Sequence, residues 1–175
     1  QTQMFVLGAQ MGMAKLVVQL LADDSLDVAA EDNYAIRYAA KSGHAEMVRL
    51  LLADPRIDPA ADASHAIRWA SRNGHTEVVR LLLADPRVDP AADNNFAVSW
   101  AFENEHASVF KLLLADPRVE LPADHHEALR WAAEFGHVDV VELLLADPAV
   151  DPAANDCDAL RWAAAMGHAA VIAVL

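Results

Sequence analysis

The sequence predicts an all-α solenoid of stacked helix pairs, and three observations point to it. A landmark glycine recurs at Gly12, Gly43, Gly74, Gly136 and Gly167, with Glu105 in the remaining slot. Successive landmarks are therefore 31 residues apart, and six units fill the 175 residues without insertion. Apolar residues inside each unit follow helical rather than strand spacing. The two prolines of the unit around Gly74, Pro86 and Pro90, argue against central β-strands, which need backbone donors. A fixed period in this range is the signature of a stacked-repeat array. The units run 3–33, 34–64, 65–95, 96–126, 127–157 and, truncated, 158–175.

The stretch from His65 to Asp93 serves as the type unit. Ile67, Ala70 and Ser71 fall at i, i+3 and i+4, the apolar or small stripe of a first helix over about Ser64 to Asn73. Asp62 and Ser64 before it, matched elsewhere by Asp93, Asn94 and Asn95, are expected to cap its first-turn amides. Gly74 allows the left-handed residue that ends it. His75 to Ala84 then forms a second helix with Val78, Val79, Leu81, Leu82 and Leu83 on its apolar face and Arg80 pointing away. Asp85-Pro86 stops that helix, because proline disfavours helical geometry in the preceding residue. Val88 to Ala92 is a short turn leading to the next unit. Such a hairpin is too small to bury its own apolar face, so stability must come from stacking.

Composition narrows the function. With 26 acidic and 13 basic side chains the net charge is −13, which opposes nucleic-acid binding. The single cysteine, Cys157, excludes an internal disulfide framework and fits an intracellular, cytoplasmic setting. No apolar run approaches the roughly 20 residues of a membrane span, so no membrane partner is expected. Phosphate-binding glycine loops, nucleophile elbows and His-Glu-x-x-His motifs are lacking, and nothing places a base beside Cys157; no catalysis and no cofactor are expected.

The run GHTEVVRLLL from Gly74 resembles the second helix of an ankyrin repeat, as do GHAEMVRLLL at Gly43 and GHVDVVELLL at Gly136; AIRWA stands in the place of that family's TPLHxA signature. The resemblance covers essentially the whole chain, and is specific for the second helix and loose elsewhere. Two departures mark a variant. The period is 31 rather than about 33 residues, and the Thr-Pro-Leu-His run is missing. The shortening lies between units, where ADPRVDPAADNN replaces a longer glycine-containing turn, so the projecting loop should be stubbier. In these respects the chain is similar to ankyrin arrays of protists and large DNA viruses. The resemblance implies a protein-interaction module whose concave side is lined by the first helices.

Trp69 lies two residues past Ile67, about 200° round the helix and so off the core stripe. With its i+3 and i+4 neighbours Arg72 and Asn73 it forms a triplet that recurs as Tyr38, Lys41, Ser42; Trp100, Glu103, Asn104; Trp131, Glu134, Phe135; and Trp162, Ala165, Met166. An aromatic is present in each while its companions run from basic through acidic to apolar. On the implied concave face this makes an aromatic-floored groove of changing character, suited to a protein partner because tryptophan, tyrosine and arginine are enriched at binding hot spots. A fixed aromatic can equally pack on the neighbouring helix; the variable companions read as surface.

Arg37, Arg68, Arg130 and Arg161 repeat in register with the scaffold, Ser99 being the exception, and are expected to tie loop carbonyls or pair with Asp62 and its equivalents rather than form an anion-binding row. His44, His75, His106, His137 and His168 lie one per unit, too spread to hold one metal, and read as helix-start scaffold. His125-His126-Glu127 and Asp156-Cys157-Asp158 share a loop position in adjacent units, but cap residues explain them, and no metal site is assigned. The fourth unit is irregular: Glu105 replaces glycine, Ser99 replaces arginine, Phe102 and Phe110 fill small or valine slots, and Glu120-Leu121 replaces Asp-Pro. Either this unit bends the array or it is specialised for a ligand, with Phe96 among its contact residues; the several changes together favour the second. Met4, Leu7 and Met13 leave the first unit without a polar outer face and the last unit ends inside its second helix. Both are expectations for part of a longer array, or for one that associates end to end.

Overall fold

A computed structural model describes residues 1–120 and 125–175. Among these residues there are twelve helices and no strand. The first helices α1 (Thr2–Gln10), α3 (Ala30–Lys41), α5 (Ala61–Arg72), α7 (Ala92–Glu103), α9 (His125–Glu134) and α11 (Ala154–Met166) form one layer. The second helices α2 (Ala14–Leu21), α4 (Ala45–Leu52), α6 (Thr76–Leu83), α8 (Ala107–Leu114), α10 (Val138–Leu145) and α12 (Ala169–Val174) form the other. Leu121, half of the Glu120-Leu121 replacement, lies outside the described residues.

The core runs continuously between the layers. Ile36, Ile67 and Leu129 from the first helices meet Val48, Leu51, Val79, Leu82 and Leu144 from the second, all buried. Each such side chain contributes roughly 1.5–3 kcal/mol of burial. The first helices face one another through small residues, Ala39, Ala40, Ala70, Ser71 and Ala101, which let their backbones approach more closely than those of the second helices. The tighter spacing makes the first-helix layer the inner side of the curve. The junction of α7 and α9 departs from this, since their backbones do not approach as those of the other neighbouring first helices do. Phe102 and Trp131 fill the space.

The expected caps are engaged elsewhere. The helix over 61–72 opens with a left-handed turn at Asp62, Ala63 and Ser64 (φ 54°, 50° and 54°), so the right-handed part starts at His65, and no side chain caps it. The same turn recurs at Glu31 to Asn33, Asp93 to Asn95 and Asn155 to Cys157. A left-handed residue other than glycine costs about 1–2 kcal/mol, and hydrogen bonds made by the turn itself compensate. Asn33 Oδ1 accepts the amide of Asp58 at 2.8 Å, and Ser64 Oγ accepts that of Asp89 at 3.2 Å. The carbonyls of Glu31 and Asp62 accept from Arg37 and Arg68, at 2.9 and 2.8 Å.

Three residues join the units at each of the two junctions between α3 and α7. Arg37 and Arg68 each reach forward with the other guanidinium nitrogen to Asp62 (2.8 Å) and Asp93 (2.6 Å), the structural role expected of that row. Arg68 is 9% exposed, whereas the side chain of its partner Asp93 is 39% exposed, so solvent partly screens this pair. The histidines reach backward. His44, His75, His106 and His168 donate through Nε2 to the carbonyls of Gln10, Lys41, Arg72 and Glu134, at 2.9–3.0 Å. Their rings then lie directly over the preceding glycine, where a Cβ on Gly43 or Gly74 would stand 2.7 Å from ring atoms. The glycine landmark therefore supplies a left-handed residue and a seat for the next histidine.

The third tie, an arginine after the Asp-Pro, escaped the sequence reading. Arg87 folds onto Asp85 (2.6 Å) and donates backward to the carbonyls of Ile57 (2.9 Å) and Leu52 (3.3 Å). Arg56 and Arg118 repeat the arrangement on Leu21 and Asp23, and on Leu83 and Val88. The guanidinium hydrogen bond holds Asp54, Asp85 and Asp116 below the usual carboxylate range. The signal was present in the sequence as Asp-Pro-Arg at 54–56, 85–87 and 116–118.

Candidate partner-binding face

On the inner face, helices α3, α5 and α7 bring the aromatic row together as the spacing requires. Tyr38, Trp69 and Trp100 are partly buried. The Trp69 and Trp100 rings meet edge to face at 5.5 Å, and Phe96, an exposed side chain, leans on Trp100 at 5.2 Å. The cations of the triplets are threaded between these rings. Lys41 Nζ lies 4.3 Å from the Trp69 ring centre and 5.2 Å from that of Tyr38. The Arg72 guanidinium lies 4.8 Å from Trp69 and 5.1 Å from Trp100. Cation–π contacts of this kind contribute about 0.5–1 kcal/mol each at exposed sites. They also hold long side chains still before anything binds.

The remaining residues of the row are placed as follows. Asn73 and Asn104 are exposed, and their amides donate to the carbonyls of Lys41 and Trp100, both at 2.8 Å. Glu103 is exposed. Glu134 is half-buried and held by Arg130 at 2.8 Å. Phe135 and Met166 are exposed, and Trp162 lies under Arg130 at 5.9 Å.

Trp131 corrects the expectation of an unbroken groove floor. It is 5% exposed, packed edge to face against Phe102 (5.5 Å) and Phe110 (5.9 Å). The cause lies in the fourth unit. Phenylalanines in the slots held elsewhere by Ala40 or Ser71 and by Val48 or Val79 open an aromatic pocket between α7 and α8, and the indole enters it. Glu105, at φ 60°, adds a second change. Its Cβ takes the place over which a histidine ring would sit. Among the described residues His137 makes no bond to the Glu103 carbonyl, and its ring lies 5.2 Å from Trp131 instead.

The paired loops at His125 and Asp156 hold no cation site among the described residues: no three His, Cys, Asp or Glu side chains converge there. Arg130 occupies Glu127 and lowers its pKa, and Arg161 holds Asp158 at 3.0 Å. No helix among the described residues is long and apolar enough to cross a membrane.

A family model for ankyrin repeats, in a form with three copies, matches residues 5–96 and again 97–175. The chain belongs to the ankyrin-repeat family. Ankyrin repeats are generally non-enzymatic protein-interaction modules. Solved ankyrin structures agree on the fold. An ankyrin repeat domain from Acinetobacter baumannii AYE superposes with a TM-score of 0.67 at 18% identity, over 97% of this chain and 94% of that one. An ankyrin repeat family protein from Legionella pneumophila gives 0.54 at 20% identity, over 98% of this chain and 68% of that one. No curated protein sequence matches the chain. The likeness at this identity is one of fold.

Proposed function

We propose that this ankyrin array is a non-catalytic recognition module that holds a protein partner on its inner face, between Tyr38 and Trp100, and works inside the cell in the cytoplasm. The observation that carries the reading is the row of half-exposed rings with Lys41 and Arg72 already clamped between them. Side chains fixed in advance lose little rotamer freedom on association, so more of the contact energy remains as affinity. Exposed Phe96, Glu103 and Asn104 extend the surface, and the stubby loops add their tips. The free Cys157 is in keeping with a reducing compartment.

The test is capture of proteins from a lysate by the intact chain and by a Trp69→Ala, Trp100→Ala variant checked for retained helicity. A partner held by the first and lost by the second supports the inner face. Equal capture by both sinks that reading.

A second reading rests on a separate observation. The end units expose apolar side chains, with Met4 50% and Met11 68% accessible, together with Leu7, Met13, Val18, Leu160, Met166 and Ile172. These suit contact with a further unit or with a second copy of the chain. Sedimentation that is concentration-dependent, and becomes monomeric after Met4→Gln, Leu7→Gln and Met11→Gln, would favour a structural role.

A further inference from the structure

The inner face carries three charges that the chain itself leaves unanswered. Of the 13 lysines and arginines, Lys15, Lys41 and Arg72 alone lack a carboxylate within ion-pair distance among the described residues. That is unexpected in a chain with 26 acidic side chains, where nearly every other cation has found one. Lys15 stands alone on α2. Lys41 and Arg72 occupy the same slot of adjacent units, and the same slot of the next unit holds Glu103, which is exposed and also outside every ion pair. Three consecutive first helices therefore present plus, plus, minus in one line.

The geometry points to an extended peptide segment of the proposed partner with the complementary order: two acidic residues followed by a basic one, each about three residues from the next. This inference rests on the inner-face reading above and names the chemistry that such a partner brings. The spacing follows from packing. Neighbouring helices lie about 8–10 Å apart, and an extended strand advances about 3.3 Å per residue, so one unit corresponds to about three residues of ligand. The rings of Tyr38, Trp69 and Trp100 floor the track between the charges. They keep Lys41 and Arg72 from folding onto the chain's own carboxylates.

His65, with its ring 5.6 Å from that of Trp69, has its pKa lowered to about 4. Burial is the main cause, and the positive charges of Arg37, Arg68 and Lys41 add to it against the opposing effect of Asp62. A polyphosphate ligand is disfavoured by the third charge, which is Glu103, and by the overall excess of carboxylates. At physiological salt the distant acids are screened within about 8 Å, so the two near cations dominate for a short peptide.

The test is selection on the full chain from a display library of random linear peptides about twelve residues long, enough to span about four units. The expected winners carry acid, acid, base at three-residue spacing. Each should lose about tenfold in affinity on Lys41→Glu or Arg72→Glu, equivalent to about 1.4 kcal/mol. Exchange of one peptide acid for lysine should restore binding to the Lys41→Glu chain. These charge reversals touch no core residue, so retained helicity is expected and makes the comparison clean. Winners that respond to Trp69→Ala, Trp100→Ala but not to the charge reversals overturn the acidic ligand and leave the inner face standing. Winners indifferent to both sets, or no enrichment at all, overturn both. An oligothymidylate of the same length that outcompetes the best peptide assigns the face to nucleic acid and overturns the proposal.

Discussion

Units two and three, residues 34–95, and units four and five, residues 96–157, are built from the same template and diverge in what they do with one aromatic. In the first pair Trp69 rests half-exposed between Lys41 and Arg72. In the second, Trp131 is turned inward against Phe102 and Phe110. The residue type and its register are identical, so neither decides the outcome. The size of the slots around it does. Small side chains at Ala40 and Ser71 let first helices close up and squeeze the aromatic to the surface. A phenylalanine in the same slot holds the helices apart and admits the ring.

The largest test of this contrast is truncation of the two tryptophans. Trp131→Ala empties a buried aromatic site and should cost about 3–5 kcal/mol. Trp69→Ala removes a half-exposed ring with its two cation contacts and should cost about 1–2 kcal/mol. Urea unfolding followed by far-ultraviolet circular dichroism compares them. Equal losses would show that the two rings sit in equivalent surroundings and would remove the contrast.

The period and the helix pairs were legible because the glycine landmark and the apolar stripe are properties of a single unit. So was the role of Arg37 and Arg68, whose partners recur in register. The burial of Trp131 was not, because it depends on Phe102 and Phe110 meeting it across a junction, a fact that no single helical wheel contains. Phe102 and Phe110 were visible as anomalies, but their effect on a neighbour one unit away was not. The left-handed turns were hidden for another reason: Asp62 and Ser64 are ordinary cap residues by type, and only their cross-unit partners reveal a different use. Lys41 and Arg72 were legible as helical neighbours of the rings, while their threading between two rings each required the stacked geometry.

A second test exchanges the landmark residues. Gly74 has φ 73°, and a Cβ there would stand 2.7 Å from the His106 ring. Gly74→Ala should therefore cost about 1–2 kcal/mol for the left-handed residue and about 1 kcal/mol more for the displaced histidine bond. Glu105→Gly reverses the situation in the irregular unit. It should stabilise by about 1 kcal/mol, raising Tm by about 2–4 °C, and let His137 reach the Glu103 carbonyl. Calorimetry measures both, and the His137 ring resonances report the second. A destabilised Glu105→Gly chain would mean that the glutamate has a role beyond filling the slot.

The smallest effect concerns the loop ties, which also distinguish the two regions. Asp54, Asp85 and Asp116 have pKa values lowered by their arginines from 3.8. Their contribution is therefore present above that value and is lost as pH falls through the folded-state pKa. The fifth unit keeps Asp147 but carries Ala149 where units two, three and four have arginine. Its amide still turns onto Asp147 Oδ1 at 2.8 Å, so the loop has the same local shape without the backward reach. Leu114, Val119, Asp147 and Pro148 line an open hollow at the place a guanidinium would cross. Ala149→Arg should fill it, pairing with Asp147 and donating to the carbonyls of Leu114 and Val119, as Arg118 does on Leu83 and Val88. The gain should be about 0.5–1.5 kcal/mol and should vanish when Ala149→Arg is combined with Asp147→Ala. A gain that persists in the double variant would mean that the new side chain acts through packing, and that the aspartate is not what aims the arginine.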